Sequence, residues 1–140
     1  MRALLPTLLL LAVISGPAAA QDQDPPIDCD DTRSTAEMNF CGDKALKAAD
    51  EKLNEVYKKV LAHIAESGIE APYDSENWEK AMREAQRAWV AFRDADCKGA
   101  VPMEWSGGSG TGPAVLGCMT QKTETRAEEL AERYGLNDDK

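Results

Sequence analysis

The sequence predicts an all-α fold, a disulfide-linked antiparallel three-helix bundle. Three segments carry apolar residues at steps of three and four, and no segment shows the strict alternation of apolar and polar residues that indicates a half-buried strand. The chain of 140 residues also has four cysteines. An even number of cysteines in an exported chain favours two disulfides over a zinc site or a catalytic thiol.

Residues 1–20 are typical of a secretory signal peptide. Arg2 gives a positive start, an apolar run extends from Leu4 to Ile14, and the small residues Ala18 to Ala20 provide a cleavage site. None of the cysteines lies at that cleavage site, so we expect a periplasmic or secreted protein that is soluble and has no lipid anchor. Residues 21–33 then form an acidic lead, whose composition predicts a flexible segment fixed only at Cys29.

The predicted helical domain covers residues 34–135 and is followed by a polar tail, 136–140. Ser34-Thr35-Ala36-Glu37 has the form of a capping box, which predicts the start of helix 1. The apolar stripe of this helix continues to Ile64, and Gly68 predicts its end.

Helix 2 is predicted to begin at Asp74 or Ser75, after a short connection that contains Pro72. Because this connection is short, helices 1 and 2 are expected to be antiparallel. Helix 2 should end near Lys98, with Gly99 as a left-handed cap. Its side chains expected to face the core, where Tyr57 joins them, are Trp78, Met82, Ala85, Trp89 and Phe92.

Residues 99–112 are predicted to form a loop of fourteen residues, five of them glycine. It lacks the Gly-Lys-Ser/Thr ending of a phosphate-binding loop. Glycines permit close approach and tryptophan is enriched at interface hot spots, so a candidate partner-binding loop can be named. Its residues are Trp105, Ser106, Gly107, Gly108 and Ser109. The alternative is a flexible connection in which Ser109 or Thr111 caps helix 3, which should end at Gly135.

The predicted topology places all four cysteines at one end of the bundle. Matching their depth along the helices favours the pairs Cys41–Cys118 and Cys29–Cys97. The other two pairings remain open.

The formal net charge of −9 argues against nucleic acid or an anionic membrane as a partner. A cationic protein partner fits this charge better. The alternative is that the charge only maintains solubility. The pattern predicts no catalytic residue, cofactor or metal site, and His63 is interpreted as a surface or boundary residue. Arg93, Asp94 and Arg126 are interpreted as a structural charge network, with contacts to a partner as the alternative.

Several pieces of the sequence resemble the lysozyme inhibitor LprI N-terminal-like domain family of exported bacterial proteins. The most specific piece is the run from Ala85-Gln86-Arg87-Ala88-Trp89 through Phe92-Arg93-Asp94 to Cys97. Further pieces that match are Met38-Asn39-x-Cys41, Ala49-Asp50-x-x-Leu53-Asn54-x-x-Tyr57, Gly107-Gly108-Ser109, and the region from Cys118 through Thr123 and Arg126 to Leu130.

This resemblance implies a helical, disulfide-linked module of the cell envelope, and the family's named member is a lipoprotein that inhibits lysozyme. The present chain differs from that member because it lacks a cysteine for lipid attachment. We therefore expect a non-enzymatic inhibitor of a cationic, lysozyme-type peptidoglycan hydrolase. The alternatives are a structural or stress-related envelope module with another protein partner and, third, a small hydrolase.

Overall fold

The computed structural model describes residues 27–136, which form three long helices and two short helical segments. These are α1 (Thr35–Ala65), α2 (Ser75–Ala95), a π-helical turn (Asp96–Ala100), α3 (Val101–Glu104) and α4 (Thr111–Arg133). Residues 27–136 contain no strand, so the all-α prediction is confirmed. The predicted signal peptide (1–20), the first part of the acidic lead and nearly all of the polar tail lie outside the described residues.

Local sequence signals fix the ends of the long helices. At α1 the hydroxyl of Ser34 accepts a hydrogen bond from the amide of Glu37, and the Glu37 carboxylate accepts one from the amide of Ser34. The predicted capping box is thus confirmed. Asp74 caps α2 by accepting the amide of Asn77 at 2.9 Å. At the end of α4 the amide of Leu136 bonds the carbonyl of Ala131, and Gly135 has a φ of +64°, as in a Schellman cap.

Helices α1 and α4 pack closely through small residues. A Cβ atom at Gly42 would lie 3.0 Å from Leu116, and one at Gly112 would lie 2.6 Å from the side-chain oxygen of Asn39. These contacts join the starts of the two helices. The region formed by the start of α1, α3 and the start of α4 is called the loop pole below. The region formed by the end of α1, the start of α2 and the end of α4 is called the far pole.

The start of α2 contacts the end of α4, and the end of α2 contacts the middle of α4. Near its start, Trp78 lies 6.1 Å from the ring of Tyr134, and near its end the guanidinium of Arg93 donates to the Thr123 hydroxyl at 2.9 Å. The core between the three long helices consists of Leu53, Val60, Ile64, Met82, Ala127 and Leu130, against which Tyr57, Trp78 and Trp89 also pack.

The inward face of α2 differs from the prediction at two positions. Ala85 and Phe92 were expected in the core, but both are exposed, Phe92 by 56%. The neighbouring residues Gln86 and Arg93 turn inward instead, and Arg93 is only 8% exposed. A guanidinium can be buried here because Asp50 and Thr123 both accept its hydrogen bonds.

The chain remains helical beyond the predicted end of helix 2. The π-helical turn includes Gly99, which does not adopt the expected left-handed conformation, and α3 continues to Glu104. The irregular stretch at the loop pole is therefore 105–110, much shorter than the predicted loop 99–112. Within it, Ser106 and Gly107 have positive φ angles of 49° and 68°.

The preferred disulfide pairing is wrong. The bridges are Cys29–Cys41 and Cys97–Cys118, one of the pairings that the sequence left open. The depth argument failed because helix 2 does not end at Cys97. The number of residues from Cys97 to the end of α3 equals the number from the start of α4 to Cys118. The two sulfurs therefore lie at the same height along the helices. The lead folds back over the first turns of α1, which brings Cys29 to Cys41.

None of the helices within residues 27–136 combines the length and the apolar character that crossing a bilayer requires.

Candidate partner-binding site

The loop between α3 and α4 is tightly hydrogen-bonded. The amide of Gly107 donates to the carbonyl of Pro102, that of Gly108 to Trp105 at 2.9 Å, and that of Thr111 to Gly108 at 2.9 Å. The side-chain cap of helix 3 that belonged to the alternative interpretation of this loop is absent. Gly110 occupies the N-cap position without a side-chain hydrogen bond, so neither Ser109 nor Thr111 caps α4. Backbone turns, not a cap, determine the path of this loop.

The ring of Trp105 lies directly on Gly110. A Cβ atom at Gly110 would be 2.3 Å from the Cζ3 atom of Trp105, so only glycine allows this contact. The tryptophan is nevertheless 51% exposed, and Met103 beside it is 78% exposed. The loop pole therefore presents two large apolar side chains, one of which is held in place by its contact with the backbone.

The Cys97–Cys118 disulfide closes the segment that carries this tip. It joins the π-helical turn to α4 across 21 residues, and Cys97 is fully buried. Asp96 lies beside the two cysteines, with all three potential ligand atoms within 4.8 Å of one another. Because both sulfurs are used in the bridge, this group has no thiolate to offer a metal ion.

Arg93 connects all three long helices. From α2, its Nη1 atom donates to the Asp50 carboxylate on α1 at 2.9 Å and to the Thr123 hydroxyl on α4 at 2.9 Å. Its Nε atom donates to Asp94 at 3.2 Å. The Thr123 hydroxyl in turn donates to the carbonyl of Met119, so this buried hydroxyl is fully used.

Lys98 and Arg93 both interact with the carboxylate of Asp94. The hydrogen bond from Lys98, at 2.8 Å, is the main reason that the pKa of Asp94 lies below its ordinary value, and the contact with Arg93 adds to the effect. A carboxyl group whose pKa is depressed stabilises the folded state above its ordinary pKa, and this contribution is lost as the pH falls.

Arg126 is not bonded to Arg93 or Asp94. Its guanidinium instead bonds Gln86 at 3.3 Å and Glu129 at 3.4 Å. Both arginines lie over the ring of Trp89, whose centroid is 5.4 Å from the guanidinium carbon of Arg93 and 5.9 Å from that of Arg126. The two arginines singled out from the sequence thus lie over the same tryptophan ring, and Asp94 contacts Arg93.

The amino-acid sequence of the whole chain is similar to known proteins. The signature of the family described as "Lysozyme inhibitor LprI" matches residues 29–130. The chain belongs to the LprI lysozyme-inhibitor family. A protein of Rhizobium meliloti (strain 1021), described as uncharacterized, is 37% identical over 137 residues, which is 94% of this chain and 95% of that protein. No solved structure matches the chain.

The LprI match includes both disulfides, the Arg93 contacts and the Trp105 tip. His63 also lies in it, exposed on α1 with its ring edge-on to Tyr134 at 5.6 Å, in agreement with a surface or boundary position.

Two features of the site were not predicted from the sequence. Asp50 and Thr123 accept the hydrogen bonds of Arg93, and Met103 is more exposed than Trp105. Thr123 could have been recognised, because a threonine on the inward face of a helix needs a polar partner. Met103 gave no signal, since the segment that carries it was expected to be irregular.

Proposed function

We propose that this protein is an exported inhibitor of lysozyme-type peptidoglycan hydrolases that acts by binding its target and has no catalytic step of its own. Its membership of the LprI family supports this function. The observation that carries the proposal is the tip at the loop pole, where the 51% exposed ring of Trp105 is held on Gly110 inside a segment closed by Cys97–Cys118.

The shape of this tip suits insertion into a cleft. Trp105 offers a large apolar surface that loses little conformational entropy on binding, because its ring is already positioned. Gly107 and Gly108 follow without side chains and allow a partner to approach the backbone closely. Glycosidases place two carboxyl groups on either side of the bond that they cleave. A segment that fills the cleft between these groups excludes the substrate and leaves the carboxyl groups chemically unchanged.

The remainder of the chain serves as a rigid scaffold in this proposal. An antiparallel arrangement of the long helices would hold the tip away from the far pole, and the contacts of Arg93 with Asp50 and Thr123 would fix the helices relative to one another. The net charge of −9 favours encounter with a basic hydrolase.

A lysis assay with residues 21–140 and several lysozymes tests the proposal. We expect the protein to slow lysis, and we expect Trp105→Ala to weaken inhibition at least tenfold, because a central aromatic anchor typically contributes about 2 kcal/mol or more. Tyr73→Ala is the matched control, since Tyr73 is 75% exposed but lies at the far pole. Lysis that proceeds at the same rate at every inhibitor concentration in low salt would remove the proposed function.

A second candidate function is an envelope interaction module with a different protein partner. It is favoured by an apolar groove of about 440 Å³ at the far pole, lined by Ile69, Pro72, Tyr73, Asn77, Trp78 and Ala81. If the protein does not inhibit any lysozyme, and if Tyr73→Ala abolishes binding to another envelope protein while Trp105→Ala does not, this second function replaces the first.

A further inference from the structure

The negative charge of the protein is unevenly distributed. Along α1 and α2 the acidic residues are matched by equal numbers of lysines and arginines. The excess lies mainly outside the long helices, in the acidic lead and in the connection between α1 and α2. In the described part of the lead, Asp28, Asp30 and Asp31 are all exposed, and Arg33, the one basic residue there, forms an ion pair with Asp31.

A disulfide holds the acidic lead at the loop pole. Cys29 is bonded to Cys41 on α1, with Cα atoms 5.6 Å apart. Two residues before Cys41, the side chain of Asn39 abuts Gly112, and two residues before Gly112 the ring of Trp105 covers Gly110. These links place the acidic lead at the same end of the molecule as the Trp105 tip.

The same pole exposes further apolar side chains. Met38 and Phe40, which flank Asn39 on α1, are 41% and 37% exposed, in addition to Met103 and Trp105. An apolar centre beside exposed charges is the usual composition of a protein-binding surface. The loop pole thus combines exposed apolar side chains with exposed carboxylates.

We infer that Asp28, Asp30 and Asp31 steer a cationic protein onto the loop pole, where the exposed apolar side chains then anchor it. This inference rests on the proposed function and adds the location of the steering charge. The Debye length is about 8 Å at physiological ionic strength, whereas α1 alone is about 45 Å long at 1.5 Å per residue. Acids at the far pole are therefore screened from a partner that docks at the loop pole.

The experiment compares two triple variants with the same change in net charge. Asp28→Asn/Asp30→Asn/Asp31→Asn removes the charge of the lead, and Glu66→Gln/Glu70→Gln/Glu132→Gln removes charge at the far pole. All six residues are exposed. Association with a basic lysozyme is measured by stopped flow over a series of salt concentrations, and circular dichroism checks that both variants keep their helices.

The lead variant should associate about fivefold to tenfold more slowly at low salt, with a shallower salt dependence, because charges near a docking surface act mainly on the association rate. The far-pole variant should stay within about twofold of the unmodified protein. Equal slowing by both variants, or no slowing by the lead variant, would overturn the inference while leaving the proposed function intact. Failure of the unmodified protein to bind any lysozyme would instead overturn the proposed function and this inference with it.

Discussion

Arg93 joins the three long helices through the hydrogen bonds of a single side chain. Its guanidinium donates to Asp50 on α1 and to Thr123 on α4, and it also lies against the ring of Trp89. Burial of a charged group is unfavourable unless its hydrogen bonds are made and its charge is balanced, and both conditions are met here. Because Asp50 is 43% exposed, water can partly solvate this carboxylate when the arginine is removed.

Replacement of Arg93 by methionine should lower the free energy of unfolding by about 2–3 kcal/mol, measured by urea denaturation. Arg93→Lys should recover only part of this loss, because an ammonium group cannot reproduce the planar guanidinium that contacts Asp50, Asp94 and Thr123. The control is Arg83→Met, which breaks an exposed pair with Glu79 and should cost less than about 1 kcal/mol. Equal losses for Arg83→Met and Arg93→Met would show that the buried contacts of Arg93 add nothing.

At the scale of the elements, α2 shows where sequence reasoning reaches its limit. Its existence, its cap at Asp74 and its apolar periodicity were all readable, because they depend on neighbouring residues. Its exact rotation was not, because two stripes that share Trp78, Met82 and Trp89 fit the period of the helix. The stripe with Ala85 and Phe92 is more apolar, yet the stripe with Arg93 faces inward, because Arg93 finds hydrogen-bond partners on α1 and α4. These partners are distant in the sequence, so the pattern of α2 alone does not reveal them.

The orientation of α2 can be tested with two aromatic residues that lie three positions apart. Phe92→Ala should change the free energy of unfolding by less than about 1 kcal/mol, because the ring is 56% exposed. Trp89→Ala should cost about 2–3 kcal/mol, since its ring packs against the core and contacts two guanidinium groups. Thermal and urea unfolding would measure both changes, and a larger loss for Phe92→Ala would contradict the observed rotation.

The two disulfides differ in accessibility, and this difference predicts the order in which they are reduced. Cys29 is exposed, whereas Cys97, within the π-helical turn, is fully buried. A thiolate must reach a sulfur atom to attack it, so a mild reductant should open Cys29–Cys41 first. Alkylation followed by peptide mass spectrometry would identify the modified cysteines. Early labelling of Cys97 and Cys118 would contradict this order.

The pairing of the cysteines could not be predicted, because it depends on where α2 stops. A glycine after Lys98 normally indicates a helix end, but here the chain passes through a π-helical turn and continues to Glu104. This continuation brings Cys97 level with Cys118 and shortens the irregular loop to the residues around Trp105. Residues 105–109 lie outside the helices as predicted, whereas the hydrogen bonds of this loop and the exposure of Met103 required the structure.

For the molecule as a whole, charge and apolar anchors should control different steps of binding. Salt screens the attraction between an acidic protein and a basic hydrolase during their encounter, but it hardly affects apolar contacts once these are formed. Raising NaCl from low to high concentration should therefore slow the association of the unmodified protein with lysozyme about tenfold or more. Its dissociation rate should change by less than about threefold.

Trp105→Ala should show the opposite behaviour in the same stopped-flow measurements. Removal of a central aromatic side chain weakens the completed complex, so dissociation should become at least tenfold faster while association at low salt changes little. Tyr73→Ala at the far pole provides the comparison and should alter neither rate. If Trp105→Ala slowed association as strongly as salt does and left dissociation unchanged, the tryptophan would act during the encounter, and the apolar anchor would have to lie elsewhere on the surface.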